Sequence, residues 1–263
     1  MTSEYLLKSG RAPTRHGQIF YRTAGEGTTL LLLHATPRSS RSYYQLIPFL
    51  TQYHRVIALD TLGFGESDPL PPRAGIGMLA ESVADLLNTL GVAPAAVFGL
   101  HTGNKIGTAL ALSYPEMVSC FILCGMTHSI ILDRTAREAA IKELVATPFV
   151  RSDITENEKL DRRQGAASLD RIYKANYDFD LKAMLDGLEP PTLVLELVTP
   201  GESHFGQQAN KLAELISDST LSTFKGSDRD ALEKNADALA QIIREFTASH
   251  QGSSKPSICT LFN

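Results

Sequence analysis

One stretch of the chain, residues 95–107, most restricts the fold that this sequence can adopt. It begins with an apolar run of strand length, residues 95–100, and passes at once into a helical pattern that ends at Tyr114-Pro115. Where a strand turns directly into a helix the two backbones nearly touch, and the small residues Gly99 and Gly103 suit such a turn. We therefore expect His101, at the tip, to adopt a strained backbone conformation at the carboxyl end of a buried strand.

Strand and helix patterns alternate along most of the chain. Continuous apolar runs of strand length are found at residues 29–33, 56–60, 95–100, 118–123, 192–198 and 220–224. Strands that are covered on both faces have such runs, and the helices between them imply right-handed crossovers. The sequence therefore predicts an α/β fold, with a mostly parallel twisted sheet and helices on both faces. It also predicts an edge strand at residues 17–22 and a helix at residues 42–52.

The alternation is interrupted between residues 128 and 189, which are polar, helical in pattern and without a strand signal. Because open α/β sheets bind ligands at the carboxyl edge, we interpret this segment as a helical lid over that edge. The alternative is that these helices pack along one face of the sheet. The predicted organisation is a core of residues 1–127 and 190–250, a lid insertion of residues 128–189 and a flexible tail of residues 251–263.

Composition narrows the class of protein. The 263 residues, 43% of them hydrophobic, suit one α/β domain with an ample core. A net charge of −4 gives no electrostatic reason to expect nucleic acid or an anionic membrane as a partner. The first residues do not resemble a signal peptide, no apolar run could span a bilayer, and the 3 cysteines lack paired spacing. We expect a cytoplasmic protein with a small-molecule substrate and no cofactor or metal.

Three stretches resemble motifs of the α/β-hydrolase family, in particular its capped branch of epoxide hydrolases and dehalogenases. Residues 34–43, which begin His-Ala-Thr-Pro, are similar to the family's His-Gly-x-Pro loop, and residues 60–68 are similar to its Asp-x-x-Gly-x-Gly-x-Ser loop. Residues 99–103 are similar to its nucleophile elbow. The motifs stand in the family's order within a resemblance that runs from residue 29 to about residue 246. The resemblance implies the α/β-hydrolase fold with a lid, although fold alone does not define function.

The resemblance does not supply a catalytic triad. The family has Ser, Cys or Asp at the elbow tip, where this sequence has His101. The family's acid follows the strand predicted at residues 192–198, where Glu202 is the candidate. Its catalytic His follows the next strand, but residues 225–230 contain Asp228 and Asp230 and no His. Either aspartate is a candidate for orienting His101, with a solvated loop as the alternative.

Further polar and aromatic side chains are predicted around this site. The family's oxyanion-hole donors correspond to the backbone N–H groups of Thr36 and Thr102, which would stabilise negative charge on a substrate oxygen. Aromatic residues of the predicted lid, Tyr173, Tyr177 and Phe179, are candidate walls of an apolar pocket; for Tyr173 a place in the helix core is the alternative.

Two more histidines follow strands at the same predicted edge. His128 and His204 are candidates for substrate binding. Together with His101 they could approach a metal ion, but their spacing is not that of metal ligands, and we predict no metal. His34, in the first of the three motifs, is expected to make structural hydrogen bonds.

The role of His101 has two interpretations. The positive end of a helix disfavours imidazolium, so His101 should be largely neutral near pH 7, and a neutral imidazole can act as a base or a nucleophile. On the other interpretation the nucleophile was lost, and His fills the tip because it tolerates positive φ.

The hypothesis for function follows from His101 and the oxyanion donors. The sequence predicts a non-standard α/β-hydrolase-fold enzyme, a hydrolase or lyase, acting on a small, partly apolar carbonyl-type substrate. The reaction is hydrolysis or cofactor-free proton transfer, such as C–C cleavage, elimination or cyclisation. The alternative is a catalytically inactive relative that binds a small ligand or a protein partner.

Overall fold

The computed structural model describes residues 6–125, 154–199 and 209–250, together with Thr135. Its strands are β1 Lys8–Thr14, β2 Gly17–Ala24, β3 Thr28–Leu33, β4 His54–Leu59, β5 Ala95–Leu100, β6 Val118–Cys124, β7 Thr192–Val198 and β8 Ser219–Lys225. They form one eight-stranded sheet in the order β1-β2-β4-β3-β5-β6-β7-β8. β1 and β2 are antiparallel to their neighbours, and every pair from β4 to β8 is parallel.

The described helices connect these strands. They are α1 Ile47–Leu50, α2 Ile76–Leu90, α3 Thr102–Ser113, α4 Glu156–Gly165, α5 Leu169–Asp178, α6 Leu181–Leu185, α7 Ala209–Ala213 and α8 Ala236–Ser249. Short 3₁₀ turns occupy Ser40–Tyr43, Pro115–Met117 and Ala166–Ser168, and a π-helical turn occupies Asp230–Lys234. None of the helices in the described part of the chain has the length and hydropathy needed to cross a bilayer.

The predicted sheet is confirmed. The six predicted strands are all present, and all six run parallel in one sheet. The reason lies in their burial: along β3, Leu31 and Leu33 pack into the core on one face while Leu30 and Leu32 pack into the core on the other. A strand that buries both faces needs apolar side chains at consecutive positions, which is the pattern that the sequence displays.

Two local predictions are wrong. The strand near residues 17–22 is not at the edge, because β1 lies outside it and is the true edge. β1 has a largely exposed, polar sequence, so it lacks the apolar signal of the central strands. The helix predicted at residues 42–52 is instead a 3₁₀ turn followed by the short helix α1. Pro48 stands in the first turn of α1, where its missing N–H is tolerated, and it disfavours a continuous helix through that point.

Between β6 and β7, residues 154–189 contain three helices, α4, α5 and α6, and no strand. We call α4, α5 and α6 the inserted helices. This part agrees with the predicted helical insertion. The predicted helix between residues 136 and 145 and the predicted tail lie outside the described residues.

Candidate active site at the carboxyl edge of the sheet

The tip of the turn between β5 and α3 has the strained conformation predicted for it. His101 has φ 50° and ψ −102°, and it is the only non-glycine residue with positive φ among the described residues. Its backbone is held on both sides: its N–H donates to the Cys124 carbonyl at 3.2 Å, and its carbonyl accepts from Asn104 N–H at 3.1 Å. Such strain persists only where the surroundings fix it, which is typical of functional positions.

Close packing explains the glycines that flank this tip. A Cβ atom added at Gly103 would lie 2.1 Å from the Leu33 carbonyl oxygen, and one added at Gly99 would lie 2.8 Å from Asn104 N. Neither distance is possible for a real side chain next to fixed backbone. The two glycines therefore let α3 begin directly against β3 and β5.

Gly125, Asp228 and Arg38 are among the described residues that influence the His101 ring. Gly125, which has φ +73°, packs against it, since a Cβ added there would lie 2.9 Å from His101 Cε1. Burial lowers the pKa of His101 below its ordinary value of 6.5, and the nearby Arg38 guanidinium lowers it further. The Asp228 carboxylate and a hydrogen bond to the Gly125 backbone act in the opposite direction. The predicted neutral imidazole therefore agrees with the structure, but burial is the main cause and not the helix end that the sequence suggested.

Asp228 is the acid that faces His101 among the described residues. It lies in the loop after β8, where Oδ1 accepts from Arg229 N–H at 2.8 Å and Oδ2 lies 3.6 Å from Arg38 Nη2. Asp230 has a different role, because its carboxylate accepts from Ser227 and pairs with Lys234 at 2.8 Å. Of the two aspartates predicted for orientation of His101, Asp228 is the one whose carboxylate raises the pKa of the ring.

The predicted oxyanion donors lie next to each other. Thr36 N–H points to Thr102 Oγ1 across 3.4 Å, a long hydrogen bond that leaves this donor weakly engaged. Thr102 is the first residue of α3, so its own N–H has no partner within the helix. The arrangement places two backbone donors next to the elbow tip; their role toward a substrate oxygen stays a prediction.

The inserted helices contribute a residue that sequence reasoning missed. Asn176 of α5 is buried, its Nδ2 donates to Thr102 Oγ1 at 3.1 Å, and its carbonyl accepts from the buried Lys105 Nζ. These contacts join positions more than 70 residues apart, so no local pattern could have revealed them.

The structure gives the burial of the aromatic residues that were predicted to line a pocket. Tyr173 and Tyr177 are half-buried, and burial raises the pKa of Tyr173. Neither is among the side chains that pack on the core beside α3, and their predicted place in a pocket wall stays a prediction. Phe179 packs against that core, and its predicted place in a pocket wall also stays a prediction.

Buried ion pairs fix α4 over the loop that follows β3. Arg38 Nη2 lies 2.5 Å from Glu158 Oε1, and Glu158 also pairs with Arg229 at 3.1 Å. One turn further along α4, Asp161 pairs with Arg41 at 2.7 Å. The same loop supplies Thr36, so α4 is tied to the backbone that carries a predicted oxyanion donor.

A second anchor joins α5 to the loop that follows β4. Arg171 donates to the carbonyl oxygens of Leu70 and Pro71, each at 2.8 Å. The inserted helices therefore contact the loops after β3, β4 and β5, all at the carboxyl edge of the sheet, and the lid over that edge stays a prediction.

Four candidate residues from the sequence analysis remain, and one of them, His34, lies within the described residues. Glu202, His128 and His204 lie outside the described residues. His34 is structural, as expected: burial lowers its pKa, and it hydrogen-bonds the Ala35 carbonyl at 2.9 Å and Thr61 N–H at 3.0 Å. Within the described residues, no three His, Cys, Asp or Glu side chains lie close enough together to hold a metal ion.

Comparisons with known proteins agree with this architecture. A family model described as the alpha/beta hydrolase fold matches residues 28–144. Human epoxide hydrolase 4 is 36% identical over 113 residues, which cover 41% of this chain and 31% of that protein. An (E)-2-((N-methylformamido)methylene)succinate hydrolase of Acinetobacter baylyi is 28% identical over 156 residues, covering 58% of this chain and 56% of that protein.

A solved structure extends the likeness over nearly the whole chain. The enol-lactonase of Burkholderia xenovorans superposes with a TM-score of 0.69 at 22% identity, covering 91% of this chain and 100% of that one. The chain thus has the α/β-hydrolase fold. It spans from about a third to a little over half the length of the two curated relatives described above.

Proposed function

We propose that the chain is an enzyme of α/β-hydrolase fold that works without a Ser-His-Asp triad, on a small, partly apolar carbonyl-type substrate. The observation that carries the proposal is the environment of His101. Its ring stands at the strained tip of the elbow, burial keeps it neutral, and the carboxylate of Asp228 lies close enough to favour its protonated form. A group that is neutral at rest and is stabilised when it gains a proton is suited to general-base catalysis.

In this mechanism His101 removes a proton while Asp228 stabilises the resulting imidazolium. For hydrolysis the proton comes from water, and the hydroxide adds to the substrate carbonyl carbon; the tetrahedral intermediate then expels the leaving group, which takes the proton back from the His101 imidazolium. For elimination the proton comes from the carbon next to the carbonyl; its electron pair moves onto the carbonyl oxygen as an enolate and then returns to expel the leaving group, which the imidazolium protonates. For C–C cleavage the proton comes from a substrate hydroxyl; the O–H electron pair forms a new C=O bond, the C–C bond breaks with its electron pair moving onto the carbonyl oxygen, and the imidazolium returns the proton to carbon. In each case the N–H groups of Thr36 and Thr102 stabilise the oxyanion that forms, an effect on the order of 3–4 kcal/mol per donor in acyl-transfer enzymes.

The inserted helices complete this proposal as a lid. Their ion pairs with Arg38 and Arg41 hold them over the loop that carries Thr36. A lid in that place excludes water from the reacting groups, which strengthens each electrostatic interaction among them.

The names of the relatives support the same substrate class. The Acinetobacter baylyi relative is a hydrolase of a compound that contains a formamide carbonyl, by its name, and the Burkholderia xenovorans neighbour is an enol-lactonase. Both names describe hydrolases whose substrates contain a carbonyl group. Whether this chain hydrolyses such a bond or moves a proton on carbon is decided by experiment.

A second candidate is a relative without activity, which binds a small ligand or a protein partner under the inserted helices. It is favoured by the loop after β8, where residues 225–230 contain no His that could serve the family's usual chemistry. On this hypothesis the strained conformation of His101 is inherited from an ancestor.

One pair of reactions separates the two candidates. The purified protein is incubated in D₂O with phenyl acetate, which reports ester hydrolysis, and with acetophenone, whose methyl protons exchange for deuterium when a base removes them. We expect one of the two reactions to be accelerated by the parent protein and to fall by roughly 10²–10⁴-fold in His101→Ala.

A serine variant provides the control for the ordinary mechanism. His101→Ser should not recover the rate, because no His follows β8 to activate the serine. Acceleration that persists in His101→Ala would remove the catalytic role of this residue, and binding of either compound without acceleration would favour the second candidate.

A further inference from the structure

The side chain of Asn176 is held firmly at the boundary between the inserted helices and the elbow. Only 7% of the residue is exposed. Its Nδ2 donates to Thr102 Oγ1 at 3.1 Å, and its backbone carbonyl accepts from Lys105 Nζ. Both partners belong to α3, so the amide of Asn176 has a fixed position beside the first turn of that helix.

The oxygen of the same amide, Asn176 Oδ1, accepts no hydrogen bond in the described part of the protein. Asn176 Oδ1 is one of two buried side-chain polar atoms without a hydrogen-bond partner in the part of the chain that the structure describes. The buried polar atoms of native proteins are almost always paired, because leaving an acceptor without a donor is unfavourable. An exception beside predicted oxyanion donors points to a donor that arrives with a ligand.

We propose that Asn176 is a specificity-determining residue whose Oδ1 accepts a hydrogen bond from an O–H or N–H group of the substrate. The inference rests on the proposed function in one respect: the substrate carbonyl oxygen lies at the N–H groups of Thr36 and Thr102. Because the Asn176 amide is bonded to Thr102, its Oδ1 is then close to that carbonyl. The substrate class is narrowed to carbonyl compounds with a donor next to the carbonyl, such as carboxamides or hydroxy-carbonyl compounds.

A hydrogen bond to Asn176 Oδ1 would let the site discriminate between substrates with and without a donor group. A substrate with a suitably placed donor satisfies the buried oxygen, whereas an analogue of the same shape without the donor leaves it unpaired. Sites that hydrogen-bond a substrate O–H or N–H group reject analogues that lack it much more strongly than apolar pockets reject a missing methylene group.

Benzamide and acetophenone provide a matched pair of probes. They are nearly the same size and share a carbonyl on a phenyl ring, but only benzamide has N–H donors. Their dissociation constants are measured by NMR titration of the parent protein, Asn176→Leu, Asn176→Asp and Asn88→Leu. Asn88 is an exposed asparagine of α2 and serves as the control.

We expect the parent and Asn88→Leu to bind benzamide on the order of tenfold more tightly than acetophenone, the preference that one satisfied hydrogen bond provides. Asn176→Leu should bind both with similar affinity. Asn176→Asp keeps an acceptor and should keep the preference, although it loses the Nδ2 donor to Thr102. If Asn176 served only the packing of α5, Asn176→Leu and Asn176→Asp would change the dissociation constants of the two probes by the same factor.

The outcomes separate this inference from the proposed function. Equal binding of the two probes by the parent, or a preference that persists in Asn176→Leu, overturns the role of Asn176 and leaves the carbonyl site intact. A preference for acetophenone shows that the amide presents its nitrogen instead, and it overturns the inference as well. If neither probe binds, both the carbonyl site and the inference are contradicted.

Discussion

At the scale of single residues, the charge state of His101 depends on groups that distant parts of the chain bring together. The Asp228 carboxylate raises the pKa of His101, whereas burial and the Arg38 guanidinium lower it. Asp228→Asn removes a group that favours the charged imidazole and should lower this pKa further. NMR titration of the His101 ring measures the change, with Asp237→Asn, an exposed residue of α8, as the control. An unchanged or raised pKa in Asp228→Asn contradicts the placement of this carboxylate.

Gly125 provides a second prediction at this scale. Its φ of +73° disfavours any other residue, and an added Cβ would lie 2.9 Å from the His101 ring. Gly125→Ala should therefore lower stability by about 1 kcal/mol or more and reduce activity by displacing the ring. Gly77→Ala is the matched control, because no heavy atom lies within 4 Å of a Cβ added there. Thermal unfolding and rate measurements on both variants test the prediction; equal behaviour of the two variants argues against it.

The residues of the site differ in how well the sequence predicts them. The conformation of His101 follows from adjacent glycines, so it could be read from the chain. Asn176 reaches the site only through tertiary contacts, and no local pattern indicates it as functional. Arg38 directly follows residues 34–37 of the first motif, but that motif does not specify the residue at this position. The sequence could not decide which aspartate interacts with His101. The choice between Asp228 and Asp230 depends on the direction of each side chain in the loop after β8, which is a tertiary feature.

At the scale of elements, the inserted helices depend on buried charge. The pair between Arg41 and Asp161 is almost completely buried, with side-chain exposures of 7% and 2%. Asp161→Ala leaves Arg41 with the more exposed Glu66, 3.4 Å away, as its carboxylate partner, and should destabilise the docked arrangement by about 1–3 kcal/mol. Because Asp161 lies on α4 and its partner Arg41 lies in the loop after β3, we expect the loss to appear first as faster amide hydrogen exchange in α4 and α5.

An exposed pair on the same helix serves as the comparison. Lys159 and Glu156 are one turn apart, and the side chain of Glu156 is largely in water. Glu156→Gln should leave hydrogen exchange and stability unchanged, because exposed ion pairs contribute little. Equal protection of α4 in Asp161→Ala and Glu156→Gln means that the buried pair does not anchor the inserted helices.

The strands and helices could be predicted where burial dictates composition. β3 to β8 were found from apolar runs, and α3 from the helical pattern that follows residues 95–100. β1 was missed because its pairing with β2 requires few apolar side chains, and α1 was predicted as too long because its apolar residues continue the spacing across Pro48. Apolar patterns indicate which residues are buried. They do not indicate which exposed strands pair with a sheet or where a helix is interrupted.

At the scale of the whole molecule, stability should depend on pH through buried histidines. Burial lowers the pKa values of His34, His54 and His101 below the ordinary 6.5. Between each lowered value and about 6.5 the unfolded chain binds more protons than the folded one, so the free energy of unfolding falls as the pH decreases through this window. The lowered pKa values of Asp85 and Asp230 act only below about pH 4 and do not affect this range.

Denaturant unfolding between pH 8 and pH 5 measures this dependence. His54 joins β4 to β3 and α8 through hydrogen bonds of 3.1 Å to Thr28 and Thr247, far from the elbow. His54→Asn removes one titrating group, so its stability should change less with pH than that of the parent. A parent protein that is as stable at pH 5 as at pH 7.5 contradicts the buried neutral state of these histidines.

The pH dependence of catalysis tests the central claim, that neutral His101 is the working base. For the reaction that the parent protein accelerates, kcat/KM should be constant above about pH 6.5 and should fall at lower pH as the imidazole becomes protonated, below its ordinary pKa because burial lowers that value. His101→Ala should be slower by roughly 10²–10⁴-fold and should lack this acid limb. A rate that rises as the pH falls, or a His101→Ala variant with the parent rate and the parent profile, contradicts the account.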